Sequence, residues 1–391
     1  MKGYLRKRGR VWYTTIELRR PDGERKQKCI RIGEMSKAEA QGREREILRA
    51  FDSGEWTDDR SLTVADLLKT WLEDNEHQIS ATTWEYYETN IRLHLIPALG
   101  TVPLSKLTPR HIVDAYAQIR SRGLSGQTCL HVHRVLSAAL NYAKKTLRVV
   151  KENVAESVPS PKVERKELPP LSAQQVRTII EMVRGTRLEI PVLVAALTGL
   201  RRGELLALKW RGVDFERGRI VVTEALEQTR RHGIRFKAPK SRSSRRVLPA
   251  ADELLEILRE HKARQGEQRA RFGASYVDQD LVFCEESGVP WPPDTFSRQF
   301  SVMTRNAGLA GFRFHDSRHA FASLALTNGT SIKEVSALLG HASATLTLST
   351  YAHVIAGMGR EAVSGVAKSV LSGFGGSVSK CEQIAAEGEM G

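Results

Sequence analysis

Tyr351 follows Gly340 and His341 in the stretch LLGHASATLTLSTYAHV, ten positions after the histidine, and is the best candidate in this sequence for a covalent nucleophile. Basic groups that suit a phosphodiester occur upstream in three separate stretches. They are Arg201 in TGLRRGELLAL, Lys240 in APKSRSSRRVLP, and His315 with Arg318 in FHDSRHAFASLAL. Together these residues predict an enzyme that cuts and rejoins DNA.

The two arginines address the main obstacle to attack on a phosphodiester, whose two nonbridging oxygens repel an approaching nucleophile. Arg201 and Arg318 carry planar, permanently charged guanidinium groups that suit those oxygens and stabilise the charge of a pentacoordinate transition state. His341 can donate a further hydrogen bond to the same group. The sequence thus predicts three donors at one phosphate.

Proton transfer requires two more groups. A tyrosine has an ordinary pKa of about 10, so Tyr351 needs a proton acceptor or a strongly positive pocket, and His315 is the candidate base. The leaving 5′-oxygen needs an acid because an alkoxide is a poor leaving group, and Lys240 is the candidate acid. The clustered cations already supply the charge neutralisation for which nucleases recruit Mg²⁺, so we expect neither a metal nor a cofactor.

Each of these residues has a purely structural alternative when it is taken alone. Tyr351 could be a half-buried packing residue, and Lys240 is one of many lysines. Arg201 could be a surface arginine that pairs with Glu204, and His315 could cap backbone groups where a helix starts. Only their combination favours catalysis.

Local patterns predict the elements that position the first arginine. Ser172 with Gln175 forms a capping box, which predicts a helix through about Met182. The run PVLVAALTGL predicts a buried helix that ends near Gly199. Arg201 then starts the next helix, where free N–H groups and partial positive charge favour an anion.

The remaining candidates lie on two strands and two helices. The strand-like runs GRIVVTEAL and RRVLPA are separated by the long basic connection QTRRHGIRFKAPKSRSSRR, which places Lys240 beside a strand. His315 and Arg318 are three apart, so they share one face of a helix. A capping box in SIKEV predicts a helix that ends at Gly340, after which His341 is presented by the turn.

The N-terminal segment is predicted to be a small basic module. The runs VWYTTIEL and KQKCIRIG flank a PDG turn at 21–23, which predicts an antiparallel sheet, and Ser36 with Glu39 predicts a helix through about Phe51. Residues 1–50 carry 15 Lys or Arg against 7 Asp or Glu. This surplus of positive charge is over half of the net charge of the chain, which is +15. Contact with DNA phosphates is the functional interpretation, and a solvated basic face is the alternative.

Residues 61–155 contain almost only helical patterns. The predicted starts are Thr63 before VADLLKTWLED, Thr82 or Thr83 before WEYYETNIRLHL, and Thr108 with Pro109 before RHIVDAYAQIRSR. A fourth helix carries an apolar stripe of Val132, Val135, Leu136, Ala139, Leu140 and Ala143. His131 and His133 diverge by about 200° on this helix, so we expect them on its polar face and not on one metal.

Composition bounds the class of protein. The 391 residues, with 60 Lys and Arg against 45 Asp and Glu, predict two or three domains and a nucleic-acid partner. Prolines around VERKE predict a linker at 156–170. The scattered Cys29, Cys129, Cys284 and Cys381 suggest no zinc site or disulfide framework, and no apolar run reaches the roughly 20 residues that span a bilayer. We therefore expect a soluble, cytoplasmic protein.

The set and order of Arg201, Lys240, His315, Arg318, His341 and Tyr351 resembles the tyrosine recombinase (phage integrase) family. TGLRRGELLAL, HDSRHAFAS, LLGH and the Tyr-Ala-His ending are similar to the signature boxes of that family. The resemblance implies a multidomain α+β fold. The first part would be an arm-type DNA-binding domain at 1–55, with a three-stranded sheet and a helix. An all-α SAM-like core-binding domain at 61–155 would follow it. The last parts would be a mainly α catalytic domain with a small antiparallel sheet at 171–370 and a flexible tail at 371–391.

The same resemblance implies a mechanism and partners. Tyrosine attack would form a 3′-phosphotyrosyl link and free a 5′-hydroxyl, and a homotetramer on double-stranded DNA would exchange strands through a Holliday junction. Core sites, arm sites and a DNA-bending accessory protein are the implied partners of an integrase that moves a phage, integrative element or transposon. A catalytically silent DNA-binding relative and a type IB topoisomerase are the alternatives.

Overall fold

The computed structural model describes residues 3–19, 25–52, 62–163, 172–238, 245–306, 308–309, 311–341, 343–351, 364 and 367–370. By its internal contacts the chain divides into two compact units, Met1–Lys166 and Glu167–Gly391. Each unit has its own buried apolar core. None of the described helices is both long and apolar enough to cross a membrane.

The N-terminal module is a three-stranded antiparallel sheet covered by one helix. Its elements are β1 (Gly3–Arg8), β2 (Val11–Arg19), β3 (Arg25–Gly33) and α1 (Lys37–Asp52), with the strands in the order β1-β2-β3. Ile16, Ile30 and Ile47 form a buried cluster between the sheet and α1. The predicted capping box is confirmed, since Ser36 and Glu39 exchange side chain to backbone hydrogen bonds. The PDG turn lies outside the described residues.

The other face of this sheet is open. Cross-strand partners share a face, and the register places Arg6 opposite Tyr13 and Tyr13 opposite Arg31. The next row on the same face joins Tyr4 to Thr15. Arg6 and Arg31 are exposed, and Tyr4 is 60% exposed. A basic and aromatic surface therefore lies on the side of the sheet that α1 leaves uncovered.

A helical domain follows the N-terminal module. Its helices are α2 (Val64–Asp74), α3 (Ala81–Asn90), α4 (Ile96–Leu99), α5 (Pro109–Ser121) and α6 (Gly126–Tyr142), with π-helical turns at Ile91–Leu95 and Ala143–Leu147. The predicted helix starts at Thr63 and Thr108 are confirmed, and both residues form capping boxes. All six residues of the predicted α6 stripe are buried in one apolar cluster. This confirms a shared helical core.

Two predictions for this domain are wrong. The cap of α3 is Ser80, whose hydroxyl accepts from the Thr83 N–H, and not Thr82 or Thr83, because three hydroxyl residues compete within one turn. His133 is buried and not on a polar face: its Nδ1 lies 2.6 Å from the Tyr116 hydroxyl. Burial lowers the pKa of His133, so it is a neutral core residue. His131 does lie at the surface side, 2.6 Å from the Gln127 amide.

The second unit is mainly helical. Its described helices include α7 (Ala173–Val183), α8 (Glu189–Thr198), α9 (Arg202–Leu206), α10 (Asp252–Phe272), α11 (Pro293–Asn306), α12 (Asp316–Thr327), α13 (Ile332–Leu339) and α14 at 344–351. The capping boxes at Ser172 and Ser331 are confirmed. Phe296 and Phe300 of α11 pack edge-on against Phe314, which ties α11 to the start of α12.

Five short strands complete this unit. They are β4 (Val213–Asp214), β5 (Arg219–Val222), β6 (Ala225–Thr229), β7 (Gly233–Lys237) and β8 (Arg246–Pro249). The predicted pairing of GRIVV with RRVLP is confirmed by β5 and β8, which are antiparallel in the order β4-β5-β8. The predicted long connection is wrong in part, because β6 and β7 form their own hairpin within it. Thr229 pairs with Gly233 at the turn of this hairpin, and Gly233 has a φ of +63°. Lys240 lies outside the described residues.

Candidate active site

Two helix ends that terminate in left-handed glycines frame the site. Gly199 ends α8 with φ of +64°, and Gly340 ends α13 with φ of +65°, a conformation that favours glycine because it has no Cβ. Each glycine turns the chain sharply and exposes carbonyl groups at the helix end. Those carbonyls hold the two arginines of the site.

Arg318 lies in the interior of the site and is 3% exposed. Its Nη1 donates to the Gly199 carbonyl at 2.8 Å, and its Nη2 donates to the Leu339 carbonyl at 2.5 Å. Burial and then the charge of Arg201 lower the pKa of Arg318 to about 9, so the guanidinium stays charged at neutral pH. A buried cation held on two carbonyls retains N–H donors for an anion.

Arg201 is the residue that precedes α9, as predicted. Its Nη2 donates to the Gly340 carbonyl at 3.2 Å, which brings the helix end of α13 to the start of α9. Its Nη1 also donates to Glu204 Oε1 at 2.8 Å. The ion pair that we considered as an alternative therefore exists, and Arg201 still remains 37% exposed at its side chain.

Glu204 and Arg246 form part of the site that the sequence did not reveal. Arg246, at the start of β8, donates from Nη1 and Nη2 to the two carboxylate oxygens of Glu204 at 3.0 Å and 2.8 Å. Both side chains are 6% exposed. Burial raises the pKa of Glu204, but the hydrogen bonds and charges of Arg246 and Arg201 outweigh it, and the pKa is lowered overall. Glu204 is thus an anion that orients two arginines.

His341 follows Gly340 and is half-buried. Its Nδ1 lies 2.7 Å from the Thr347 hydroxyl. Burial and the charges of Arg318 and Arg201 lower the pKa of His341 to about 4. The ring is therefore neutral at pH 7, and its Nδ1 contact with Thr347 leaves Nε2 for a substrate.

Tyr351 is the last described residue of α14 and is 3% exposed, packed among Ala322, Leu326, Val335 and Leu339. Burial raises the pKa of Tyr351 to about 12, against a smaller lowering by Arg318. Its hydroxyl lies 2.8 Å from the Nδ1 of His319. The packing that we considered as the alternative role is real, but it leaves the hydroxyl directed at a histidine beside Arg318.

His315 precedes α12 and has an exposed side, and no hydrogen bond of its side chain caps the helix. Burial of its protein-facing side, with the charges of His319 and Arg318, lowers its pKa to about 4. Its ring stands edge-on to the ring of His319, with centroids 5.1 Å apart. The histidine that is hydrogen-bonded to the Tyr351 hydroxyl is therefore His319 and not His315. His315, Arg318 and His319 occupy positions i, i+3 and i+4, and this spacing was the signal that could have revealed His319.

The geometry is that of an anion site beside a buried phenol. Arg201, Arg246 and Arg318 supply three cations against the single carboxylate of Glu204, and neutral His341 and Tyr351 adjoin them. Such a surplus of fixed donors stabilises a bound phosphate and the extra charge of its transition state. Within the described parts of the chain, no cluster of three His, Cys, Asp or Glu side chains could hold a metal ion.

Comparison with known proteins agrees with this architecture. Residues 170–357 match the phage integrase family, and residues 63–119 match the phage integrase N-terminal SAM-like domain. A tyrosine recombinase XerC-like protein of Caldanaerobacter subterraneus subsp. tengcongensis is 30% identical over 339 residues, which cover 82% of this chain and 86% of the relative.

Two solved structures show the same fold. The Tn1549 transposon integrase in complex with transposon right end DNA has a TM-score of 0.64 at 21% identity, covering 77% of this chain and 100% of that chain. A lambda integrase tetramer bound to a Holliday junction has a TM-score of 0.54 at 19% identity, covering 88% and 96%. From the matched family domains and the relative at 30% identity, the chain belongs to the tyrosine recombinase (phage integrase) family and is a site-specific recombinase of that class.

Proposed function

We propose that the chain cleaves and rejoins double-stranded DNA through a 3′-phosphotyrosyl intermediate on Tyr351. The observation that carries this proposal is the position of the Tyr351 hydroxyl, buried against His319 next to the carbonyl-held Arg318. A buried phenol beside fixed cations has little use in packing alone. It suits a nucleophile whose phosphate is held in place.

The residues have separate tasks at one phosphate. Arg201 and Arg318 bind the nonbridging oxygens and stabilise the charge that develops on them. His341 donates a hydrogen bond from Nε2, since its Nδ1 contacts Thr347. His315 lies at the exposed rim of the same pocket, where it can contact the DNA strand. Lys240 remains the proposed acid for the leaving 5′-oxygen.

The phosphotyrosyl link allows the cleaved strand to be joined to a strand of a second duplex. The phosphotyrosyl bond retains the energy of the phosphodiester, so rejoining to a partner strand needs no external energy source. We propose exchange through a Holliday junction within a homotetramer, which the lambda integrase tetramer bound to a Holliday junction supports. Residues 61–155 and 171–370 would then be the core-binding and catalytic domains of each subunit.

Residues 1–55 would bind a second, arm-type DNA site. The open face of the N-terminal sheet carries the row Arg6, Tyr13 and Arg31, with Arg8 lying 6.0 Å from the Tyr13 ring centroid. Arginines on such a sheet face suit both phosphates and guanine edges of a major groove. This second DNA contact favours an integrase that inserts or excises a mobile element, such as a phage, integrative element or transposon.

A covalent trapping experiment tests the proposed chemistry. A pool of nicked suicide duplexes with randomised cores is incubated with the protein, and adducts that survive detergent are collected and their DNA sequenced. We expect wild type to give adducts on one enriched core sequence, and Tyr351→Phe to give none while it still binds that core. Equal adduct formation by Tyr351→Phe would remove Tyr351 as nucleophile, and tight binding without any wild-type adduct would indicate a silent DNA-binding protein.

A second assay distinguishes a recombinase from a topoisomerase. Two differently labelled duplexes that carry the enriched core are mixed with the protein. A recombinase joins strands of one duplex to the other, whereas a type IB topoisomerase relaxes a supercoiled plasmid and returns each strand to its original partner. Relaxation without exchange would contradict the proposed function.

A further inference from the structure

The hydroxyl of Tyr351 has a defined hydrogen-bond partner inside the site. It lies 2.8 Å from Nδ1 of His319, and the two ring centroids are 5.9 Å apart. Tyr351 is 3% exposed, so bulk water has little access to this contact. His319 also adjoins Arg318 in sequence, and Arg318 has both terminal nitrogens on carbonyls of the helix ends. The nucleophile, a ring nitrogen and the phosphate-binding arginine are therefore neighbours.

We propose that His319 accepts the proton of Tyr351 during strand cleavage and returns it during rejoining. The inference rests on the proposed function, because it assigns a further catalytic residue to the same site. His319 qualifies as catalytic since its nitrogen touches the reacting oxygen.

Cleavage and rejoining each move one proton to or from His319. Nδ1 of neutral His319 takes the phenolic proton as the Tyr351 oxygen bonds to phosphorus, and His319 becomes an imidazolium. The bond from phosphorus to the 5′-oxygen breaks, and that oxygen takes a proton from the acid that we assign to Lys240. In rejoining, the 5′-hydroxyl attacks phosphorus and returns its proton to the group that we assign to Lys240, and the bond from phosphorus to Tyr351 breaks. The departing phenolate then recovers its proton from His319.

The other histidines are less well placed for this task. Nδ1 of His341 contacts the Thr347 hydroxyl at 2.7 Å. The His315 ring stands against the His319 ring, 5.1 Å between centroids, and has an exposed side. Among the described residues, His319 is the histidine whose nitrogen reaches the phenol at hydrogen-bond distance.

The electrostatic surroundings keep His319 able to accept a proton. Burial lowers the pKa of His319. The charge of Asp316 raises this pKa, and the charges of Arg318 and Arg313 lower it further. The pKa is lowered overall, so the ring is neutral at pH 7. His315 and Tyr351 are the titratable groups that face it from the start of α12 and from α14. Because burial also raises the pKa of Tyr351 to about 12, unaided ionisation of the phenol at pH 7 is rare. An acceptor in contact with it removes that obstacle.

The test separates proton transfer from positioning. His319→Asn retains an amide near the Nδ1 position, so it can hold the phenol, but it has no basic nitrogen. On a suicide substrate in single turnover, we expect His319→Asn to slow cleavage by about 10² to 10⁴-fold, the usual contribution of a general base. Affinity for the uncleaved duplex should stay unchanged, which shows that the variant is folded.

Replacement of Tyr351 by difluorotyrosine gives the second arm, because fluorine makes the phenol more acidic. We expect difluorotyrosine to restore cleavage by His319→Asn by about tenfold or more and to change the rate with His319 intact by under about threefold. His315→Asn, the matched control, should show no such selective rescue. A wild-type rate for His319→Asn, or the same difluorotyrosine effect with and without His319, would overturn the assignment. Failure of wild type to form any adduct would instead contradict the proposed function.

Discussion

Arg246 donates from its two terminal nitrogens to the two carboxylate oxygens of Glu204, 42 residues away in sequence. Its Nε donates in addition to the Leu338 carbonyl at 2.6 Å. One guanidinium thereby joins β8, the start of α9 and the end of α13. These are the elements that hold Arg201 and precede His341, so the pair positions the site as well as stabilising the fold.

Loss of this guanidinium should be costly. Arg246→Met leaves the buried carboxylate of Glu204 with one fewer charged partner, and removal of one member of a buried pair costs about 3 to 5 kcal/mol. Arg245→Met, one residue earlier and exposed, should change the free energy of unfolding by under about 0.5 kcal/mol. Urea denaturation of both variants followed by circular dichroism measures the difference, and equal effects would show that the pair contributes little.

The left-handed glycine at the end of α8 provides a second prediction. A Cβ at Gly199 would lie 2.6 Å from Phe321 Cδ1 and 2.9 Å from Leu339 Cδ2, in addition to the strain of φ at +64°. Gly185 has a similar φ of +72° but open space around its Cα. Gly185→Ala should therefore cost about 1 kcal/mol, and Gly199→Ala about 1 to 3 kcal/mol more. Gly199→Ala should also slow cleavage, because its carbonyl holds Arg318. Matching urea midpoints would contradict this assignment.

The histidines of the site make the protein sensitive to acid. His315 and His341 have pKa values near 4 in the folded chain, below the usual value of about 6.5, so the unfolded chain binds more protons between these limits. Stability should therefore fall as the pH decreases from about 6.5 to 4. The urea midpoint is measured at pH 7.5 and pH 5 for wild type and for the double variant His315→Gln with His341→Asn. We expect a smaller fall in the double variant, and an unchanged fall would assign the sensitivity to other groups.

The open sheet face predicts a salt-dependent DNA contact. Arg6→Ala and Arg31→Ala should each weaken arm-type binding and reduce the slope of log affinity against log salt by about 1, the loss of one phosphate contact. Arg49→Ala, which removes an exposed arginine from α1 on the covered side of the sheet, is the matched control. Fluorescence anisotropy at several salt concentrations gives the slopes. If all three variants behave alike, the charge of the module acts without a defined face.

Short-range features were predictable from the sequence. The capping boxes at Ser172 and Ser331 depend on residues three apart, so the pattern alone determines the helix start. The glycine stops at Gly199 and Gly340 follow from the same local rules, and they place Arg201 and His341 correctly. Even the wrong cap at α3 missed by only two or three residues, because Ser80 competes with its own neighbours.

Contacts between distant residues were not predictable. Arg318 donates to a carbonyl that is 119 residues away in sequence, and Arg246 donates to a carbonyl that is 92 residues away. Contacts across such separations leave no short-range pattern in the sequence. His133 was assigned to a polar face because its helix position alone does not show that Tyr116 from α5 meets it. The contact between Tyr351 and His319 was missed for the same reason. A choice between two histidines on one helix depends on where α14 places Tyr351, which only the tertiary fold determines.

The arginine anchors have an evolutionary consequence. Gly199, Leu339 and Gly340 hold Arg318 and Arg201 through main-chain carbonyls, which every amino acid possesses. The anchoring contacts therefore depend on where the two helices end, which the left-handed glycines determine, and not on the chemistry of a particular anchoring side chain. The fold is shared with the Tn1549 transposon integrase at 21% identity, so it tolerates the exchange of most side chains. What selection must preserve is the position of two helix ends.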